Sequence, residues 1–455
     1  MKENKIHQSL LLSVGVLLVL AICVYLPTWK LFGYTFKKIN IFSDIEQVTP
    51  SRPKKTFVYV KKEFVDSCPS NMICIEDYSS NKDALNTIFN ALEEIHSKKI
   101  KVRIAFFGDS FIEGDIFTAE VRKKLQSRFG GGGVGFVPIT SETAGFRQTI
   151  FHKFNNINTY NIIQHAKTKL PFAAGGYCSY PLEGNRVSYA GIPKSTRLKR
   201  FNSIRLFYET NKELPISCLY NGVYQTSKTK PTGKLEQISY PNAKTTMVSF
   251  NFTPSIDLKL YGVSMEDSSG VIVDNFGMKS NSGINLNHIS DKKQREFDSL
   301  QNYKLIVLQY GLNAVGPTTT NFNWYIKSMT RVIEKMKRNY PNASFLLLSV
   351  SDRGSRENGK LQTMSTIPLM VEAQRKIAKN TNIAFWDLFH AMGGENSMID
   401  FVLSKPTLAN KDYTHLTFKG GEKIAEIFSS TFLYEYKQHN DKKTHNKILN
   451  NNSLR

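Results

Sequence analysis

The sequence predicts an α/β protein: a three-layer domain built on a parallel sheet, interrupted by an all-β insertion. Three observations carry this. The stretch "VRIAFFGDSFIEGDIFTAEV" (102–121) reads as a buried strand, a sharp corner and a helix. Four further short apolar runs, "GVIVDNFG", "YKLIVLQYG", "ASFLLLSVS" and "IAFWDLF", alternate with helical stretches in the C-terminal half, the pattern of a parallel sheet covered on both faces. Between these halves, segments of strict period two replace the alternation.

From the N-terminus, residues 9–29, "SLLLSVGVLLVLAICVYLPTW", carry no charge and match a membrane span in length. No small-residue cleavage site follows, so an uncleaved anchor is expected, with the bulk of the chain outside the cytoplasm. Residues 30–95 read as a stalk and a short amphipathic helix, "NKDALNTIFNALEEIHSK". The discontinuous α/β domain is assigned to 96–140 and 256–436. In its first helix Phe117, Val121, Leu125 and Phe129 form one apolar stripe. The insertion, 141–255, is expected to be an antiparallel sandwich, with Ile204, Leu206 and Tyr208 on one face of a strand and Val248, Phe250 and Phe252 on another. Between two later strands Ile326, Met329, Val332 and Met336 mark a helix face. Residues 437–455 are polar and basic, the composition of a disordered tail.

Lysine and arginine number 60 against 38 acidic residues, a net charge of +22. The charge is spread along the chain rather than clustered with stacking aromatics, which argues against nucleic acid. A solvated lysine-rich surface and attraction to an anionic envelope polymer or membrane surface both fit, and charge alone does not choose. Of the five cysteines, Cys68 and Cys74 are spaced to close a small loop, leaving Cys178 and Cys218 as a possible second pair. No metal-binding spacing appears. Gly130, Gly132 and Gly135 match a dinucleotide pattern but follow a helix instead of opening one, so they read as a cap and loop, and no cofactor is expected.

The chemistry gathers at strand ends. Ser110 stands where the first strand should meet its helix, the edge at which open parallel sheets bind ligands. A serine nucleophile needs a base and the base an orienting acid; "NKDYTHLTFKGGEKIA" supplies Asp412 and His415 just before the last helix. Gly277 and Asn313 end two other strands and offer a backbone N–H and a side-chain amide for an oxyanion. Asp109 reads as a turn acceptor, His152, His288 and His390 as surface or structural, and Asp387 as a weaker candidate than Asp412 for the orienting acid.

Ser, Gly, Asn and Asp-x-x-His in this order resemble the SGNH hydrolases, or GDSL esterases, over residues 101–135 and 262–430. The resemblance implies Ser110 as nucleophile, His415 as base, Asp412 as its partner, and an oxyanion hole of Ser110 N–H, Gly277 N–H and the Asn313 amide. One departure is Ala314, where the family often has Asp after the Asn. The run "GDSFIEGDIFTAEVRKKLQSRFGGGGVGFVP" is similar to bacterial envelope esterases that deacetylate peptidoglycan or other polysaccharides and carry a carbohydrate-binding-module-like β insertion. Tyr177, Tyr180 and Tyr189 are then candidates to stack on sugar, although each also suits a core. The expected partners are an acetylated envelope glycan, the membrane, and a membrane acyltransferase if the enzyme transfers acetyl instead of hydrolysing it; a glycan-binding protein on an inactive hydrolase is the remaining alternative. A separable insertion also implies that replacing roughly residues 145–250 with a linker spares turnover of a small ester.

Overall fold

The computed structural model describes residues 68–452 except 167, 169 and 358, and, before them, residues 10–16, 18, 29–31 and 34–36. Residues 1–63 with 358–360 form one unit, of which 10–16 are helical. The expected span at 9–29 and the stalk up to residue 67 lie mostly outside the described residues. Among those described, no helix is long and apolar enough to cross a membrane.

The second unit begins with a short edge strand, β1 (Glu76–Asp77), and helix α1 (Asn86–Lys98), which buries Ile88, Phe89, Leu92 and Ile95 along one stripe. Strand β2 (Lys101–Gly108) is buried on both faces, hence its near-continuous apolar run. Helix α2 (Thr118–Phe129) follows the serine corner and buries Val121, Leu125 and Phe129. The glycine run then turns the chain. A Cβ on Gly131, whose φ is +101°, would come 2.6 Å from Val271 O, so this loop packs against a neighbouring strand and leaves no cradle for a phosphate there.

Nine antiparallel strands come next: β3 (Gly135–Pro138), β4 (Phe151–Asn161), β5 (Tyr177–Ala190), β6 (Ser203–Glu209), β7 (Pro215–Tyr220), β8 (Val223–Lys228), β9 (Leu235–Tyr240), β10 (Met247–Phe252) and β11 (Lys259–Glu266). They form one sheet in the order β8-β7-β10-β5-β11-β6-β9, with β3 on β11 and β4 on β5. Val187, Tyr189, Leu206, Tyr208, Phe250 and Val263 share one core, so a single curled sheet encloses the core expected of a sandwich. The sheet is also wider than 141–255. Both β3 and β11 belong to it, because β11 pairs with β6 and β3 and points Leu260 and Val263 into this core but Tyr261 into its neighbour's.

The chain then returns to strand–helix alternation: β12 (Gly270–Gly277), α3 (Asp291–Gln301), β13 (Tyr303–Gln309), α4 (Asn323–Asn339), β14 (Ser344–Leu348), α5 (Ile367–Thr381), β15 (Ala384–Trp386), α6 (Leu388–Met392), α7 (Ser397–Leu403) and α8 (Phe418–Asn452). The second sheet runs β12-β2-β13-β14-β15 in parallel, with β1 antiparallel at the edge. Alternate residues of β2 separate two cores. Ala105 and Phe107 face Phe297, Met329 and Val371 of α3, α4 and α5, while Ile104 and Phe106 face Leu92, Val121 and Phe428 of α1, α2 and α8. The first parallel strand, β2, thus lies between the second and third, β12 and β13, which makes the end of β2 a topological switch point.

Two expectations are corrected here. The stretch from Lys437 is helical through Asn452 as the end of α8, because it has a docking surface: Phe89 of α1 lies 5.8 Å from the Tyr436 ring and 5.5 Å from that of His439. Cys68 and Cys74 are bonded to each other, but Cys178 and Cys218 are free and buried in different cores.

Candidate active site

Directly beyond β2 the Asp109 carbonyl accepts the N–H groups of Ile112 and Glu113, at 3.1 and 3.0 Å, and its carboxylate accepts the Phe111 N–H at 3.0 Å. Asp109 therefore builds the corner, as its position in the motif suggests. The Ser110 N–H is left with no protein acceptor among the described residues. Burial pushes the Asp109 carboxyl up to about 7, against the opposing pull of the Phe111 N–H and His415.

From 305 residues away the loop before α8 returns to this corner. His415 Nε2 lies 3.1 Å from Ser110 Oγ, and His415 Nδ1 lies 2.7 Å from Asp412 Oδ2. The other Asp412 oxygen accepts the backbone N–H groups of Thr414 and His415, each at 3.0 Å. The three-residue spacing is what permits this turn. Its side chains are about half exposed, 48% for Asp412 and 46% for His415. Burial acts to raise the Asp412 carboxyl, but its hydrogen bonds from the His415 backbone and ring outweigh that and hold it below the usual carboxylate range.

Asn313 sits in a short turn after β13 and donates from Nδ2 to Asn281 O at 3.1 Å, with Asp109 Oδ2 at 3.4 Å. Gly277 differs from its expected role. Its N–H donates to Asn275 Oδ1 at 2.8 Å, so that donor is already engaged. Glycine is required there for another reason: a Cβ would lie 2.3 Å from Glu113 N. Two amides of this loop, Ser280 N–H and Ser282 N–H, have no protein acceptor among the described residues. Ser280 holds a left-handed φ of +61°, a conformation costly to a residue with a Cβ and common at functional sites.

A buried set of residues under this loop escaped sequence reasoning. Asp115, fully buried, is held by two hydrogen bonds from Arg122 at 3.0 and 3.1 Å and by Arg147 Nε at 3.0 Å. Asn275 Nδ2 donates to the same carboxylate at 2.8 Å and to Ile112 O at 2.7 Å. Burial opposes ionisation of Asp115, but the two guanidinium groups hold it far below the usual range.

Sequence reasoning also missed a second Asp-x-x-His pair. His390 Nδ1 is 2.7 Å from Asp387 Oδ2 and its N–H 3.0 Å from Asp387 Oδ1, the same local geometry as at Asp412. It sits at the end of β15, three strands or about 14 Å from β2, and Arg375 also binds Asp387 at 2.6 Å. The other candidates are placed as follows. His152 is buried, its ring 4.6 Å from that of Tyr189, which is itself core; Tyr177 and Tyr180 are half-buried against the α/β core, and His288 is exposed. Among the described residues no group of His, Cys, Asp or Glu side chains is arranged to hold a metal ion.

No family model and no curated relative matches the chain. Among solved structures, it superposes on a peptidoglycan O-acetylesterase with a TM-score of 0.66 at 19% identity, covering 80% of this chain and 99% of that one. The two share a fold. An acetyl xylan esterase (22% identity, 35% and 79% of the two chains) and a family two carbohydrate esterase from Cellvibrio japonicus (9% identity, 63% and 99% of the two chains) each reach a TM-score of only 0.27, too low to add to this likeness.

Proposed function

We propose that the protein is a serine esterase that hydrolyses O-acetyl esters on a cell-envelope glycan through an acyl-enzyme. The observation that carries this reading is the relay Ser110 Oγ, His415 Nε2, His415 Nδ1, Asp412 Oδ2, with steps of 3.1 and 2.7 Å, at the switch point of a parallel sheet. Ser110 Oγ attacks the ester carbonyl while His415 Nε2 takes its proton; Asp412 holds the ring tautomer and offsets the imidazolium charge. The same imidazolium returns the proton to the leaving sugar oxygen, and water repeats the sequence on the acyl-enzyme. The Ser110 N–H, the Asn313 amide and the Ser280 N–H are the donors for the oxyanion, with Gly277 serving as a spacer that lets the loop approach.

The shared fold with a peptidoglycan O-acetylesterase supports an acetylated glycan as substrate. The Cys68–Cys74 bond supports an oxidising, extracytoplasmic location, and the uncharged stretch at 9–29 supports a membrane anchor.

The test is acetate release from an aryl acetate and from O-acetylated peptidoglycan. Ser110→Ala is expected to lower both by several orders of magnitude with an unchanged melt, since only oxyanion-hole and binding catalysis remain. Retention of more than a few per cent of activity removes Ser110 as nucleophile. Acetylated product formed on an added glycan acceptor, in place of free acetate, assigns the acyl-enzyme to transfer.

A further inference from the structure

The loop between β3 and β4 of the antiparallel sheet, residues 141–149, reaches back towards the serine corner. Phe146 stacks on Phe418, the first residue of α8 and three residues past His415, with centroids 4.8 Å apart and planes 28° from parallel. Glu142 pairs with Lys279 on the loop that carries Ser280. Arg147 goes deeper. Its Nε donates to Asp115 Oδ2 at 3.0 Å and to Thr149 Oγ1 at 2.9 Å, its Nη2 lies 2.7 Å from the same carboxylate, and Thr149 also donates to Asp115.

We propose that Arg147 and Thr149 are positioning residues for the oxyanion hole, so that the antiparallel sheet completes the catalytic apparatus of the parallel one. The inference rests on the esterase reading above. The connection is a chain of hydrogen bonds. Arg147 and Thr149 hold one oxygen of Asp115, and Asp115 Oδ1 accepts Asn275 Nδ2 at 2.8 Å. Asn275 Oδ1 then accepts the Gly277 N–H at 2.8 Å. Beyond Gly277, Met278 N–H is fixed to Gly108 O at 2.9 Å and Lys279 N–H to Glu113 Oε2 at 3.1 Å, which sets where Ser280 N–H and Asn281 O fall. Asn281 O is the acceptor that orients the Asn313 amide.

The backbone at Asp115 makes this arrangement dependent on its partners. Gly114 and Asp115 are both left-handed, with φ of +73° and +64°, and a non-glycine residue holds such a conformation only where its surroundings fix it. The Asp115 side chain is fully buried, and two of its five side-chain partners, Arg147 and Thr149, come from outside the parallel-sheet segments, the others being Thr118, Arg122 and Asn275. A buried carboxylate that loses a partner re-pairs or moves, and Asn275, which bonds Asp115 on one side and the Gly277 N–H on the other, is the neighbour that passes such a shift to the loop. Arg147 touches no reacting atom in this scheme, so its effect falls on transition-state stabilisation while ground-state binding is spared.

The experiment compares Arg147→Met and Thr149→Val with the wild type on an aryl acetate, with competent sites counted by stoichiometric titration of Ser110 with an organophosphonate. Per titrated site, kcat should fall about tenfold for Arg147→Met and severalfold for Thr149→Val, with KM within twofold of wild type; Arg147→Lys should recover most of the loss. A purely structural role would lower the melting temperature or the number of titrated sites and leave kcat per site unchanged. Unchanged kcat per site in every variant that folds overturns the proposal, and Thr149→Val, which is nearly isosteric, decides the matter if Arg147→Met does not fold. Wild-type turnover that survives Ser110→Ala would instead overturn the esterase reading itself.

Discussion

Asn313 has its amide hydrogens committed in the resting site, to Asn281 O at 3.1 Å and, at 3.4 Å, to Asp109 Oδ2. The second contact is beyond ordinary hydrogen-bond length, and it is the one an oxyanion would replace. Asn313→Ala should therefore lower kcat on an aryl acetate by about 10²–10³ with KM little changed; a variant that chiefly raised KM would make the amide a ground-state binding group. Asp109 gives a second measurable consequence. Its carboxyl titrates near 7 when folded, because of burial, and near 4 when unfolded. Between those values the folded state binds the extra proton, so stability falls as pH rises from 4 to 7 and the penalty is constant above. Asp109→Asn keeps an acceptor for the Phe111 N–H and removes the titration. Its melting temperature should exceed the wild type's by a margin that grows from pH 4 to 7 and then levels off; a margin independent of pH would mean Asp109 ionises normally. The triad was legible in the sequence because Asp412 and His415 are three residues apart and Ser110 has a corner of its own. The engaged N–H of Gly277 was not, since sequence does not encode which way an amide points. Nor was the Asp115 set, most of whose partners are 7, 32, 34 and 160 residues away.

Elements whose burial is repetitive were the legible ones. Strands β12, β13, β14 and β15 are apolar runs because both faces are covered, and α4 shows its buried Met329, Val332 and Met336 at helical spacing. Elements stabilised by one-sided or polar docking were not. The end of α8 has a disordered composition, yet it rests on α1 through the His439 ring and through Lys443, which pairs with Glu93 at 2.5 Å. Those contacts are partly exposed and worth about 1–2 kcal/mol together. Truncation after Tyr436 should lower the melting temperature by about 2–5 °C and leave aryl acetate turnover at the wild-type value, because no residue of the site contacts this stretch. A loss of turnover in a folded truncation would show that the helix end supports the α8 N-terminus and, through it, His415.

At the scale of the molecule, the sequence presents the antiparallel sheet as an insertion that a linker could replace, and the structure argues otherwise. Arg103 of β2 binds Asp274 of β12 at 3.0 Å and Glu266 of β11, and Glu266 is also paired with Lys101 at 2.7 Å and with Arg205 of β6 at 3.3 Å. Arg205 further donates to Gln301 Oε1 of α3 at 2.7 Å. Around this buried network Phe136 and Phe207 from the antiparallel sheet pack against Phe276 and Phe297 from the parallel-sheet domain, with centroids 5.3 to 5.7 Å apart. Removing residues 145–250 deletes Arg147, Arg205 and Phe207 together and strips β11 of β6. Glu266 and Asp115 keep Arg103, Lys101 and Arg122 as partners, so the cost falls on the shared core. Phe172, Phe207 and Leu235 are lost from it, at about 3–5 kcal/mol per phenylalanine, and the combined loss approaches the whole stability of a typical domain, about 5–15 kcal/mol. The deletion variant should show no cooperative melt and no turnover of either the aryl acetate or the polymer. A deletion variant that melts cooperatively and keeps aryl acetate turnover would show that the shared network and aromatic cluster are dispensable, and that the parallel-sheet domain stands without its neighbour.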